Sequence, residues 1–179
     1  MMMTRIKSFA ARFRRSDEGS ASVEFVLYFT VFFMVLAAGV EIAYINLRHA
    51  MLERAVDLAT REIRLSTGEI PSYDSVRAQI CEEAVVLDAC EANLRLEMVQ
   101  VDPRDTGSMP YDTDCQSASE EPRPVRNFTP GIDNDLMLLK VCLKYKPMMP
   151  TSEFSQALNM DENGYAQLIV TSAFVQEPR

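Results

Sequence analysis

Residues 17–45 read DEGSASVEFVLYFTVFFMVLAAGVEIAYI. Between Phe25 and Val40 there is no charged residue and no proline. As a helix that run is about 24 Å long, a little short of a ~30 Å hydrocarbon core. Extending it from Ala21 to Leu47 gives ample length but takes in Glu24 and Glu41. A carboxylate deep in a bilayer costs roughly 2.5–3.5 kcal/mol on insertion scales. Each glutamate therefore needs a reason to be there.

The flanks orient the segment. Residues 1–19 carry Arg5, Lys7, Arg12, Arg14 and Arg15 against Asp17 and Glu18. The whole chain has a formal net charge of −8, so the part after this basic head is more acidic still. The positive-inside tendency puts residues 1–19 in the cytoplasm, a transmembrane helix at 20–47 and the body, 48–179, outside. An acidic body with no basic patch argues against nucleic-acid binding. At 47% apolar residues in 179, the chain can build one packed domain beyond its anchor.

Three kinds of N-terminal segment fit: a plain signal anchor, a cleaved secretory signal, or a signal cut before the apolar run. In a secretory signal the apolar run ends near the cleavage site, whereas here apolar residues resume after AAGVEIAYI. The third kind gives Glu24 a role. Cleavage after Gly19 creates an α-amino group on Ser20, mostly cationic at neutral pH with a reference pKa of about 7.7–8.0. Glu24, one helical turn on and followed by Phe25, is placed to neutralise that amine or a neighbouring subunit's. The plainer reading of Glu24 is an interfacial residue near the headgroups, favoured by its helix N-terminus. Glu41, close to Tyr44, reads as the outer lipid–water boundary.

The basic leader, the Gly, the four small or apolar residues, the Glu and the following aromatic resemble the processing site of type IV prepilins. More closely, RFRRSDEGSASVEFVLYFTVFFMVLAAGVEIAY resembles the N-terminus of TadE-like proteins, pseudopilins of the tight-adherence pilus system. Gly19, Val23, Glu24, Phe25 and Glu41 occupy that family's motif positions. AQLIVTSAFVQEPR is similar to its closing strand, and CEEAVVLDACEANLRLEMVQV to its cysteine-bracketed turn. TadE and TadF types are not distinguished by these residues. The resemblance implies a non-enzymatic minor pseudopilin, without cofactor, cut by a prepilin peptidase and acting in pilus biogenesis and adherence. It implies as partners other pilins and the Tad inner-membrane assembly proteins, and as location the bacterial inner membrane. The alternative is an uncleaved, membrane-anchored binding or assembly module.

Beyond Glu41 the helical period continues through Leu52, Ala55, Val56, Ala59 and Ile63, with Ser66, Thr67 and Gly68 as its stop. NLRLEMVQVD, LMLLKVCLKYK and AQLIVTSAFVQ read as strands, the first two by alternation. A short helix is predicted around 74–87 and another over Thr151–Leu158, capped by Thr151 or Ser152. The fold class is α+β: one long helix packed on a small antiparallel sheet of three to four strands, the plan of pilins.

Residues 103–133 form a stretch rich in Pro, Ser, Asp and Gly, over twice the usual upper loop length, and so either functional or poorly ordered. Cys81, Cys90, Cys115 and Cys142 all follow the apolar run, and an even number in a small exported domain suggests disulfides. Four cysteines allow three pairings. Sequence proximity and the family resemblance favour Cys81–Cys90, which leaves Cys115–Cys142; buried free thiols are the plainer alternative. With His49 the sole histidine and no CxxC, no metal site is expected. DTDCQSASEE and DNDL are acidic but lack EF-hand spacing. No catalytic arrangement stands out.

Overall fold

The structure, a computed structural model, describes residues 20–66, 71–105, 112–125, 127–150, 155 and 157–178. The chain divides into two units, residues 1–40 and 41–179. Helix α1 (Ser20–Leu65) begins in the first and ends in the second.

Among the described residues of the first unit, nothing packs over the helix. The large apolar side chains of Val23 to Leu36 are all at least half exposed. Phe25, Phe29 and Phe33 stack along one side at the i,i+4 spacing of a helix, with centroids 5.5 and 6.2 Å apart. This helix is long and apolar enough to cross a membrane.

The second unit holds the core. Leu52, Ala55, Val56, Ala59 and Ile63 are buried along one stripe of α1. Small residues alternate with branched ones along it. The last turn is capped from two directions. The Ser66 hydroxyl donates to the Ile63 carbonyl at 2.7 Å. The Gln176 amide, from the tail after the last strand, donates to the carbonyls of Ile63 and Arg64, both at 3.3 Å. These are the carbonyls a helix leaves without an internal partner. Arg64 also pairs with Glu177 at 3.1 Å, so the closing QEP tripeptide fastens the helix end. Thr67 and Gly68 lie outside the described residues.

Helix α2 (Tyr73–Glu83) starts at an N-cap, Ser72, whose hydroxyl accepts from the Ser75 amide. It buries Val76 and Ile80 and ends short of the expected residue 87. A turn through Ala89, whose φ of 48° is left-handed, leads to the four-residue helix α3 (Cys90–Asn93). A disulfide joins Cys81 to Cys90 across that turn. The expected helix over Thr151–Leu158 lies largely outside the described residues.

Three strands are present among the described residues: β1 (Leu94–Gln100), β2 (Leu136–Tyr145) and β3 (Ala166–Val175). They pair antiparallel in the order β1-β2-β3. The register aligns Leu94, Leu143 and Leu168 in one row, and Leu96, Val141 and Val170 in the next. Both rows join the buried stripe of α1 in one hydrophobic cluster. A one-residue slip would turn these rows away from the helix, so burial on this face fixes the register.

The other face of β1 and β2 has its own cover. Residues 112–125 and 127–129 cross it, bonded to β2 by the Cys115–Cys142 disulfide. The Met98 amide donates to the Asn127 carbonyl at 2.9 Å and the Thr129 amide to the Met98 carbonyl at 3.0 Å. This segment thus shields the outer edge of β1, which would otherwise present unpaired backbone groups. The described part of the long loop, residues 112–125 and 127–133, is therefore a structural layer; residues 106–111 and 126 lie outside the description.

Candidate functional site

The chemistry of the chain is concentrated in three places. The first is the start of α1. Ser20 is its first described residue, and Gly19 lies outside the described residues. Glu24 and Phe25 are exposed on the bare helix, and Phe25 keeps 65% of its surface open. Among the described residues, Val26, Leu27 and Tyr28 around it are also exposed, an apolar surface suited to another helix or to lipid.

The second is Glu41. It is the first residue of the packed unit and only 1% exposed. Its Oε1 accepts from the Met148 amide at 2.9 Å and its Oε2 from the Met149 amide at 3.1 Å. Two turns on, the Arg48 guanidinium lies over the Tyr44 ring at 4.2 Å and near the Tyr145 ring at 5.2 Å. It donates to the Lys146 carbonyl at 3.2 Å and pairs with Asp88 at 3.1 Å. Glu41 and Arg48 together hold residues 146–149, just past β2, against the helix. A carboxylate accepting two backbone N–H groups is satisfied without any cation. Tyr145 titrates above its ordinary range because it is buried.

The third is a clamp on the covering segment. Lys144 donates to Glu120 and, at 2.8 Å, to Asp161. Asp161 also accepts from the amides of Asn163 and Tyr165. The hydrogen bond from Lys144 holds Glu120 below the usual carboxylate range. Burial works to raise Asp161, but the Lys144 bond and the two amides outweigh it, and its pKa is lowered. Burial works to lower Lys144, and its two carboxylate partners outweigh that and raise it. Depressed carboxylates stabilise the fold above their unfolded pKa values, about 3.9 and 4.3, and that contribution is lost as pH falls through the folded values. A raised lysine contributes fully below about 10.4 and loses its share above the folded value. Stability is therefore expected to be flat across neutral pH and to fall on acidification below about 4. A denaturant series from pH 7 to 3 checks this, and Lys144→Met should flatten the acid limb.

Among the described residues, no group of three or more His, Cys, Asp or Glu is arranged to hold a metal. His49 makes a 3.5 Å contact to Glu53 on the same helix face.

Sequence reasoning singled out Glu24, Glu41 and the four cysteines but missed what Glu41 holds. Its partners are two backbone amides more than a hundred residues away, which leave no side-chain signature. The Lys144 clamp was missed for a related reason: its three members come from a strand and two turns.

A family model described as TadE-like protein matches residues 19–61. The match begins at Gly19, takes in Glu24 and Glu41, and stops within the packed half of α1. The sheet, both disulfides and the covering segment lie beyond it. No curated protein and no solved structure matches the chain.

Proposed function

We propose that the chain is a TadE-like minor pseudopilin of a Tad-type pilus system. The observation that carries this reading is the family match over 19–61, joined to a helix whose described large apolar residues up to Val40 are exposed. In this account the basic leader stays in the cytoplasm and residues 41–179 lie in the periplasm. α1 crosses the inner membrane, with the apolar stretch to Val40 in lipid and the next two turns, to Leu47, entering the interface. A prepilin peptidase cuts after Gly19. The subunit, now starting at Ser20, offers its exposed helix to other pilin helices and Tad assembly proteins, and supports fibre assembly and adherence.

The first unit is suited to that role. Residues 20–40 span roughly 31 Å as a helix, the thickness of a hydrocarbon core. Glu24 sits where a neighbour's new amine would enter. A charge that is costly alone in lipid becomes tolerable when paired. The protein is then a structural component, itself processed by an enzyme rather than acting as one.

Glu24→Ala is expected to insert and be cleaved but to lose co-assembly with partner pilins by at least about tenfold, the equivalent of 1.4 kcal/mol. Co-purification of tagged partners from detergent-solubilised membranes reads this. Undiminished co-assembly would remove the pairing role.

A further inference from the structure

Resting on the reading that α1 crosses the membrane, we infer that residues Lys146–Pro150, KPMMP, form a lipid-contacting foot seated in the interface beside the helix. The geometry starts from Glu41, which directly follows the exposed apolar run ending at Val40. Its carboxylate holds the amides of Met148 and Met149 at 2.9 and 3.1 Å. The backbone of Met148 is therefore at the level of residue 41, where lipid ends, although the two are far apart in sequence.

The clasp exchanges one surface for another. The carboxylate that lipid would reject is 1% exposed, with both oxygens satisfied by N–H groups. Met148, 53% exposed, faces outward instead. A single exposed methionine is ordinary on a soluble surface, and only its depth gives this one meaning. Ile42 and Leu47, close to Glu41 on the same helix, are 43% and 48% exposed. Polar groups suited to an interface surround it. Lys146 is exposed, with its ammonium 4.9 Å from the centre of the Tyr165 ring. Tyr44 and Tyr165 are both half-buried. Amphipathic rings and a long-stemmed cation are the residue types that settle at headgroup level. Pro147 and Pro150 lack backbone N–H groups, which lowers the cost of placing this turn against lipid.

The chain contains no tryptophan, so one introduced residue is a unique reporter. Full-length Met148→Trp, Pro150→Trp, Phe33→Trp and Ile132→Trp would each be reconstituted in phosphatidylcholine vesicles carrying nitroxide lipids labelled shallow or deep. Phe33 lies within the apolar run. Ile132 is 70% exposed and lies two residues before Asn134, whose amide donates to the carbonyl of Gln176, the residue that caps the far end of α1 roughly 33 Å beyond Glu41. The expected result is loss of Phe33→Trp emission to the deep label, loss of Met148→Trp and Pro150→Trp emission chiefly to the shallow label, and none for Ile132→Trp. If Phe33→Trp is quenched while both foot reporters behave like Ile132→Trp, the foot is overturned and the membrane span stands. If Phe33→Trp is not quenched, the span fails and the foot falls with it.

Discussion

Glu41→Ala is expected to destabilise the packed unit by about 2–4 kcal/mol, because it strips two backbone amides of a charged acceptor. A hydrogen bond to a charged group is worth about 1.5–3 kcal/mol. Met148 is half-exposed, so water can restore part of one bond, and the total stays below the sum of two. Glu41→Gln keeps one acceptor oxygen and should lose about half as much. Urea titration of the full chain in detergent reads both variants. The loss should be local at first, with hydrogen exchange accelerated at Met148 and Met149 before it reaches Leu139 or Val141. Equal acceleration throughout would mean that Glu41 supports the core as a whole rather than the turn after β2.

The second large effect belongs to the Cys115–Cys142 bond, which closes a loop of sequence separation 27. A loop of that size limits the unfolded chain by about 3.5 kcal/mol in the chain-entropy account. The double variant Cys115→Ser/Cys142→Ser should lose most of this. It should also loosen the covering segment on the sheet, whose other ties include the Lys144 clamp, the two Met98 backbone bonds and the Asn127–Glu97 hydrogen bond. The readout is exchange of the Met98 and Thr129 amides, whose acceptors are the Asn127 and Met98 carbonyls. The Cys81–Cys90 bond closes a loop of only 9, so its removal should cost less, about 2.6 kcal/mol. The reverse ranking would show that strain or residual structure, rather than loop closure, governs these bonds.

The fold was legible where one residue type repeats with one period. The alternation of Leu139, Val141, Leu143 and Tyr145 with Lys140 and Lys144 marks β2 and its core face. The Leu52–Ile63 stripe marks the packed half of α1, and both are buried as that pattern requires. The covering segment was not legible, because it is held by polar contacts rather than by an apolar period. Asp114 reaches Arg123 at 3.6 Å, and Asn127 reaches Glu97 at 3.1 Å. Such partners are set by the register of a sheet, and a composition rich in Pro, Ser and Asp looks the same whether or not it packs. Glu41 was legible as a position and illegible as a role. Its spacing from the apolar run reads as a boundary, but its acceptor function depends on where β2 delivers its last residues.

The central claim is that residues 1–19 are a leader and that the working chain starts at Ser20. The intact mass and N-terminal sequence of the protein, taken from membranes of cells carrying the whole secretion locus, test it most directly. The account predicts a chain beginning at Ser20, and its disappearance in Gly19→Ala. A chain that still carries Arg14 and Arg15 would contradict it, because the amine that Glu24 is placed to meet would never form.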